Sequence, residues 1–296
     1  MAQPSLLHPF AIPIIIFLTL WVLFYLPLAG VGRLVRGAAK KASTWVAQRR
    51  LIKWIAGHRR WHGLRPYLPL VVVLLLGAVA AAVAAELFVD VAERIGKSTS
   101  MVYRTDRTVH DWFVRERRSG LTSLLKTITF FGGSAGIALV VGTMTALLLA
   151  FKERANAAYL VATALGGMVL NTVLKLLFAR TRPDLASAAV VASWYSFPSG
   201  HAMESFIVYG ALAYITLRQP WPWKVDSAVL ALGVTMVILI GLSRVYLGVH
   251  WLSDIAGGWS AGTAWLVACS VGFDMVLRLR QHRRKGGHAV GRSDGT

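Results

Sequence analysis

Acidic residues are scarce in this chain of 296 residues, which carries 13 Asp and Glu against 32 Lys and Arg, a formal net charge of +19. Charged residues of both signs make up only 15% of the sequence, below the roughly 25% of ordinary soluble domains. A basic excess suits nucleic acid, anionic lipid headgroups or a phosphate-bearing substrate. Because 56% of the residues are hydrophobic and the mean hydropathy is +0.57, the composition favours a membrane protein and disfavours a nucleic-acid partner.

Cysteine is nearly absent. Cys269 is the one cysteine and lies in an apolar segment, so a single chain can form neither a disulfide framework nor a cysteine-based metal site. We expect its side chain to be a small buried apolar group. Basic residues are also missing before Arg33, although a signal peptide begins with a basic region. The apolar N-terminal run is therefore predicted to be a retained membrane helix.

Long apolar runs dominate the rest of the sequence. A helix needs about 20 mostly apolar residues to cross a bilayer. Seven stretches qualify, and they are residues 10–28, 68–89, 135–151, 157–178, 202–217, 225–242 and 255–276. They predict an all-α, polytopic membrane helix bundle. We divide it into an N-terminal transmembrane helix with a basic amphipathic segment (1–67), a six-helix core (68–276) and a basic cytoplasmic tail (277–296).

The distribution of Lys and Arg predicts the orientation, because short cytoplasmic loops are enriched in these residues. With the N-terminus outside, the cytoplasmic segments are 30–67, 152–156, 218–224 and the tail from residue 277, and they hold twenty of the 32 basic residues. Eight of the other twelve lie between residues 90 and 134. We therefore predict a multi-pass protein of the cell membrane with an external N-terminus.

Two connecting segments have amphipathic patterns. Segment 30–67 contains no acidic residue and intersperses its bases with tryptophan, leucine and isoleucine, which is typical of a helix on an anionic leaflet. The alternative is a solvated basic linker that only fixes the topology. Segment 120–131 places Leu121, Leu124 and Leu125 on one helical face, which predicts a helix packed along the outer surface.

Three polar clusters interrupt the ends of the apolar stretches. They read KLLFARTRP at 175–183, PSGH at 198–201 and SRVYLGVHWLSD at 243–254. Because successive membrane helices alternate in direction, all three clusters are predicted to emerge on one face, which is the extracytoplasmic face in the predicted orientation. Ionisable residues at that depth are costly and indicate a functional site.

The first cluster is suited to binding a phosphate. Lys175 and Arg182 are seven residues apart, so a continuous helix would place both on one side. Arg182 offers a planar fork of donors and Lys175 a point charge. Pro183 limits how far a regular helix continues. Arg180 is interpreted as a side chain that reaches the lipid headgroups.

The second cluster combines a helix start with a histidine. Ser199 is a candidate N-cap, and Gly200 allows backbone N–H groups to approach a ligand closely. A helix N-terminus carries about half a positive charge and readily binds anions. His201 stands beside it, and histidine can give or take a proton near neutrality.

The third cluster adds a cation and a histidine–carboxylate pair. Arg244 is the cation, and His250 and Asp254 are four residues apart, which places them on one helical face. The carboxylate can accept from one ring nitrogen and leave the other free to attack. The three clusters together predict a nucleophile, its orienting partner, a second histidine for proton transfer and an electrostatic clamp.

In this order, the clusters resemble the signature of the type 2 phosphatidic acid phosphatase superfamily. The family pattern is Lys, six residues, Arg-Pro, followed later by Pro-Ser-Gly-His, and later still by Ser-Arg, five residues, His, three residues and Asp. The resemblance covers about residues 68 to 276. The chain matches every position, at Lys175, Arg182, Pro183, Pro198, Ser199, Gly200, His201, Ser243, Arg244, His250 and Asp254.

The resemblance implies a lipid phosphate or polyprenyl diphosphate hydrolase that forms a phosphohistidine and uses no metal ion or other cofactor. His250 would attack phosphorus, Asp254 would hold its ring, and His201 would protonate the leaving oxygen and later help to activate water. The residues implied to hold the phosphoryl oxygens are Lys175, Arg182, Ser199, Gly200 and Arg244.

Several alternatives stay open at this point. Candidate substrates are phosphatidic acid, phosphatidylglycerol phosphate, a polyprenyl diphosphate such as the undecaprenyl carrier, and the phosphate of lipid A. Some family members transfer the phosphoryl group to another lipid, and the motif residues are the same. A non-catalytic lipid-binding protein is disfavoured because no motif residue is missing, and the related vanadium haloperoxidases are soluble. The motifs do not specify an oligomeric state.

Other polar and aromatic residues lie near the clusters in sequence. Glu204 follows His201 by three residues and could tune its pKa, contact a headgroup or complement the helix N-terminus. His110 and Asp111 are interpreted as surface or interfacial residues. Trp194 and Tyr195 are typical of an interfacial aromatic belt and could alternatively line a substrate entrance.

Overall fold

A computed structural model describes residues 68–290, with side chains described for Leu75 and for residues 77–280. The first predicted spanning stretch, the basic amphipathic segment and residues 291–296 lie outside this range. Between residues 68 and 290 there are eight α-helices and no strands. They are α1 (Leu68–Ile95), α2 (Met101–Arg115), α3 (Ser119–Phe130), α4 (Ser134–Ala150), α5 (Arg154–Phe178), α6 (Gly200–Leu217), α7 (Trp223–Tyr246) and α8 (Leu252–Val290), with a short 3₁₀ helix at Leu185–Ser187.

The six predicted stretches from residue 68 onward coincide with α1, α4, α5, α6, α7 and α8, so the predicted all-α membrane bundle is confirmed. Within the described range, α5, α7 and the Leu252–Arg280 part of α8 are each long and apolar enough to cross a membrane. Helices α3 and α4 meet at 49° and together could form a fourth span. Helix α6 is shorter, at 18 residues, and its first turns carry polar side chains.

The surface of the bundle differs from that of a soluble protein. On α5, the large apolar side chains of Val169, Leu176 and Leu177 are exposed. The buried interior centres on α6, which packs against α4 and α5 on one side and against α7 and α8 on the other. Near the polar clusters, Ala202, Val245 and Ile255 are fully buried against one another. Exposed apolar area of this kind is stable only in contact with lipid or another protein.

The short helices at the end of the bundle that carries the polar clusters were less predictable. Helix α2 was not predicted, although Ser100 caps it by accepting a hydrogen bond from the backbone N–H of Tyr103 at 3.1 Å. Helix α3 corresponds to the predicted amphipathic segment, and Leu125 packs against Tyr246 and Leu247 at the end of α7. These two short helices therefore surround the end of the bundle that carries the polar clusters.

Two breaks place polar residues beyond the ends of long helices. Helix α5 ends where Ala179 adopts a left-handed conformation and donates its N–H to the carbonyl of Lys175. Helix α7 ends at Tyr246, and the chain reverses through Gly248, whose φ of +78° favours glycine. A side chain at Gly248 would also lie 2.9 Å from a guanidinium nitrogen of Arg117. The turn between α7 and α8 therefore requires glycine here.

Close contact between α8 and the start of α6 holds the site region together. A Cβ atom at Gly258 would lie 2.8 Å from the carbonyl oxygen of Ser199 and 3.1 Å from the Cβ of Ala202. The backbone N–H of Ser199 also donates to the carbonyl of Asp254 at 3.0 Å. Because backbone atoms cannot rotate away, any side chain at Gly258 would force the two helices apart.

We therefore expect Gly258→Ala to destabilise the protein by about 1–3 kcal/mol, the usual cost of overpacking. Thermal unfolding in detergent measures the effect. The matched control is Gly272→Ala on the same helix, where nothing lies within 4 Å of the new methyl group and alanine favours the helix. Equal melting temperatures for the two variants would contradict this account of the α6–α8 contact.

Candidate active site

The predicted site residues converge at one end of the bundle. Lys175 lies in the last turn of α5 and Arg182 just beyond it, while Ser199, Gly200 and His201 begin α6. Arg244 lies in the last turn of α7, His250 in the following turn and Asp254 in the first turn of α8. Most of these side chains are buried, with His250 only 2% exposed and Asp254 fully covered, while Arg182 and His201 are half-buried. Residues distant in sequence therefore form one cluster.

His250 and Asp254 form the predicted pair. The Nδ1 atom of His250 lies 3.2 Å from Oδ2 of Asp254, and the same oxygen accepts the backbone N–H of Trp251 at 2.9 Å. On the other side of the ring, Nη1 of Arg182 lies 3.2 Å from Nε2 of His250. Because arginine can only donate, Nε2 is assigned as the acceptor and Nδ1 as the protonated nitrogen.

The environment of His250 keeps its imidazole neutral. Burial lowers the pKa of His250 well below its ordinary value, and the nearby cations Arg244, Arg182 and Lys175 lower this pKa further. A neutral ring whose Nδ1–H is held by a carboxylate has its lone pair on Nε2, the atom that faces Arg182. This is the form that a nitrogen nucleophile needs.

Lys175 and Arg182 are oriented by main-chain carbonyl groups. Nζ of Lys175 donates to the carbonyl of Tyr195 at 2.7 Å. Arg182 donates to the carbonyls of Ser193 and Trp194 at 2.9 and 3.0 Å and, through Nη1, to Val249 at 2.7 Å. Burial lowers the pKa of Arg182, with Asp254 opposing this effect. Arginine nevertheless stays charged at neutral pH because its ordinary pKa is so high.

The segment that supplies these carbonyls includes the predicted aromatic pair. Trp194 is exposed, and the centre of its ring lies 6.1 Å from that of the stacked Tyr195 ring. The backbone φ of Trp194 is +71°, in the left-handed region. Such a conformation in a large residue is costly and is found mostly at functional sites. Its carbonyl points to Arg182. The main chain at these residues thus takes part in the cluster, which neither sequence interpretation anticipated.

The start of α6 contributes a donor and the second histidine. The hydroxyl of Ser199 is buried without a hydrogen-bond partner among the described residues. Nε2 of His201 lies 3.1 Å from the position a Cβ atom would take at Gly133, in the bend between α3 and α4. His201 is also within electrostatic range of His250 and Arg244. Both imidazoles therefore belong to one cluster.

Several residues of the cluster carried no recognisable sequence signal. Nη1 of Arg244 donates to Thr129 Oγ1 at 3.2 Å, and a Cβ atom at Gly200 would lie 3.1 Å from Oδ1 of Asn171. Thr129 is distant in sequence from Arg244, and Asn171 is one turn before Lys175 on α5. Only helix periodicity around Lys175 could have suggested Asn171.

Two interpretations of single residues were wrong. Arg180 does not reach toward headgroups, because its guanidinium binds Asp254 at 2.6 Å and Asp106 at 2.8 Å. His110 is not a surface residue, because it is buried with its ring 5.4 Å from that of Trp251. Both side chains belong to a region organised by α2, whose presence was not predicted. Asp111, its neighbour, is exposed as expected.

Glu204 is buried at α6, where one of its oxygens would lie 3.4 Å from a Cβ atom at Gly167 on α5. Neither carboxyl oxygen has a hydrogen-bond partner in the described part of the chain. Its suggested tuning of His201 stays a prediction.

A cavity of about 850 Å³ lies beside the cluster, between the end of α1, α2 and the segment after α5. Asp106, Arg180, Arg182 and Trp251 are among the residues that line it. Over residues 68–290, no group of three or more His, Cys, Asp or Glu side chains is arranged to hold a metal ion.

The family is clear from comparison with known proteins. Residues 155–278 match the PAP2 superfamily. The chain is 32% identical to phosphatidylglycerophosphatase B of Bacillus subtilis over 185 residues, which cover 62% of this chain and 90% of that protein. It is 34% identical to undecaprenyl-diphosphatase of Sulfolobus acidocaldarius over 134 residues, which cover 43% of this chain and 60% of that protein.

A solved structure shows the same fold. The crystal structure of a transmembrane PAP2-type phosphatidylglycerolphosphate phosphatase from Bacillus subtilis superposes with a TM-score of 0.62 at 29% identity, covering 66% of this chain and 96% of that one. The chain therefore belongs to the PAP2 superfamily and is a membrane protein, and the resemblance inferred from the three motifs is confirmed.

Proposed function

We propose that the chain is an integral membrane phosphatase that hydrolyses a lipid phosphate or polyprenyl diphosphate through a phosphohistidine. The observation that carries this proposal is a buried His250 whose Nδ1 faces Asp254 and whose Nε2 faces Arg182. His250 shares its cluster with two further cations and a second histidine. The relatives named above act on lipid phosphates or diphosphates, and this supports the same substrate class here.

The first half of the reaction forms a phosphorus–nitrogen bond. Nε2 of His250 attacks phosphorus with its lone pair as the bond to the leaving oxygen breaks. His201, which takes up a proton when the bound phosphate anion offsets the neighbouring cations, gives that proton to the leaving oxygen. Asp254 accepts the Nδ1–H of the ring and stabilises the charge that develops on it. The products are the lipid alcohol, or lipid monophosphate from a diphosphate, and phosphohistidine.

The second half transfers the phosphoryl group to water. His201, now without its proton, takes one from the attacking water as the new phosphorus–oxygen bond forms. The phosphorus–nitrogen bond breaks, its electron pair returns to Nε2 of His250, and phosphate leaves. The enzyme is restored to its starting protonation state, so no metal ion or other cofactor is needed for the balance.

Three cations and a helix N-terminus stabilise the phosphoryl oxygens. Lys175 and Arg182 approach from the end of α5 and Arg244 from the end of α7, and the N–H groups and hydroxyl at Ser199 and Gly200 add donors at the start of α6. When substrate binds, its phosphate oxygens replace the carbonyls of Trp194 and Tyr195 as acceptors for Arg182 and Lys175. Fixed donors favour the transition state because they need no reorganisation during the reaction.

The substrate is proposed to be amphiphilic and to enter from the outer leaflet. A site at the end of spanning helices lies at headgroup depth, where the alcohol portion can remain in lipid. The distribution of basic residues supports an extracytoplasmic site in the cell membrane and contact of segment 30–67 with anionic lipid.

We expect the purified protein to release phosphate from dioctanoyl phosphatidic acid or a polyprenyl diphosphate in EDTA, without any lipid acceptor. His250→Gln is expected to lower the rate at least about 10³-fold, because it removes the nucleophile. A ³²P-labelled substrate should leave acid-labile label on the wild-type protein and none on His250→Gln.

The matched control is His110→Gln, another buried histidine at the same end of the bundle, which should keep its rate within about threefold of wild type. Wild-type turnover by His250→Gln would contradict the assignment of the nucleophile. Loss of activity in EDTA with recovery on adding a divalent metal would contradict metal independence. Activity only with an added lipid acceptor would identify a phosphotransferase instead.

The side of the membrane is tested by labelling single cysteines in a Cys269→Ser background. Lys97 and Lys152 are both exposed, and Lys97 adjoins Gly96, which lines the same cavity as Arg182, whereas Lys152 lies at the opposite end of α5. We expect a membrane-impermeant maleimide to label Lys97→Cys in intact cells and Lys152→Cys only after permeabilisation. The reverse pattern would place the site in the cytoplasm.

A further inference from the structure

Arg180 links two buried carboxylates at the base of the cluster. Its Nη1 donates to Oδ1 of Asp254 at 2.6 Å and to the hydroxyl of Ser253 at 2.7 Å, and its Nη2 donates to Oδ2 of Asp106 at 2.8 Å. The side chains of Arg180, Asp106 and Asp254 are 11%, 3% and 0% exposed. The guanidinium also lies 5.6 Å from the ring centre of Trp251. The two carboxylates of the link are therefore shielded from solvent, and Arg180 is its most exposed member.

The two oxygens of Asp254 have separate partners. Oδ2 faces His250 and the backbone N–H of Trp251, while Oδ1 is bound by Arg180. Rotation of the carboxylate would break both sets of contacts at once. The guanidinium thus fixes the plane of the carboxylate that orients the imidazole, and it balances the charge of that carboxylate.

Asp106 completes the link from α2. Its Oδ1 accepts the backbone N–H of Ser253 at 2.9 Å, and its Oδ2 accepts the hydroxyl of the same serine at 2.5 Å as well as Arg180. Asp106 therefore caps the first turn of α8 from a neighbouring helix and holds Arg180 at the same time. The side chain of Asp106 thus fixes both the turn that carries Asp254 and the guanidinium that binds Asp254.

From these contacts we infer that Arg180 and Asp106 are positioning residues for the nucleophile, acting on His250 through Asp254. The inference rests on the proposed function, because it assumes that His250 attacks phosphorus and that Asp254 orients it. Arg180 lies between Lys175 and Arg182 but is not a defining position of the first motif, and Asp106 lies outside all three motifs. A buried ion pair contributes little to stability compared with apolar packing, but it can fix a geometry that apolar side chains cannot specify.

A different role for Arg180, direct binding of the substrate phosphate, fits the contacts less well. Both of its terminal nitrogens already bind side chains, whereas Lys175 and Arg182 bind main-chain carbonyls that a phosphate can replace. Loss of a positioning residue lowers kcat with little change in KM, whereas loss of a residue that binds the substrate phosphate also raises KM. The two roles are therefore separable by kinetics.

The cavity beside the cluster provides a second way to test the link. Arg180 and Asp106 line this space of about 850 Å³, so shortening Arg180 opens a route by which a small cation can reach both carboxylates. Guanidinium has the shape and charge of the missing group, whereas urea has the shape without the charge. If guanidinium restores the activity of the shortened variant and urea does not, a cation at this position assists the reaction.

The experiment measures kcat and KM of purified Arg180→Ala with dioctanoyl phosphatidic acid. We expect kcat to fall about 10–100-fold with KM within about threefold of wild type, as found when an orienting partner is removed. Millimolar guanidinium chloride should raise kcat about tenfold, and urea should not. Arg180→Lys should be intermediate, because a lysine can bind one carboxylate but lacks the planar fork.

Two further variants keep the test decisive. Asp106→Asn preserves the shape of the cap and removes the charge, so it should lower kcat about tenfold even if Arg180→Ala fails to fold. The matched control is Arg117→Ala, which loses hydrogen bonds to the carbonyls of Ser187 and Tyr246 at the same end of the bundle. Its kcat should stay within about threefold of wild type and should not change when guanidinium is added.

The inference is overturned if folded Arg180→Ala or Asp106→Asn retains the wild-type kcat, or if KM rises while kcat is unchanged. It is also overturned if urea restores the kcat of Arg180→Ala as well as guanidinium does. His250→Gln separates the two levels of the account. If His250→Gln is active, the proposed function itself is wrong. If His250→Gln is inactive but Arg180→Ala has wild-type kinetics, only the positioning role of Arg180 is wrong.

Discussion

The burial of three like charges beside one imidazole is the constraint on which the site depends. Lys175, Arg182 and Arg244 are brought together at helix ends, where mutual repulsion and loss of hydration oppose the arrangement. Main-chain carbonyls offset part of that cost for the first two, and Thr129 contributes for the third. A phosphate group carries the opposite charge and enough oxygens for all three. The cluster is thus organised in advance for a tetrahedral anion.

The same constraint explains why the proposed nucleophile needs support from residues other than the motif positions. His250 must remain neutral and fixed among cations, and its partner Asp254 must remain a carboxylate without exposure to water. Arg180 and Asp106 provide that support from two other elements, while the contact at Gly258 holds α8 against α6. The geometry of the proposed active site therefore depends on helix packing and on the link from α2 together.

The sequence predicted the helices of the core and the residues of the cluster because both have local signals. Apolar runs of spanning length revealed six of the eight helices in the described range, and the spacing from Lys175 to Arg182 and from His250 to Asp254 revealed the polar residues. Helix α2 was missed because its polar composition resembles a loop. Arg180 was misread because its partner Asp106 is 74 residues away, and no local pattern encodes that contact.

The central claim is that groups from separate helices surround one tetrahedral anion. A structure of the protein with bound vanadate, which resembles a phosphoryl group in transfer, tests it most directly. The account predicts vanadium within bonding distance of His250 Nε2, its oxygens bound by Lys175, Arg182 and Arg244, and His201 facing the opposite side. Vanadate bound only in the cavity beside Trp251, or away from both histidines, would contradict it.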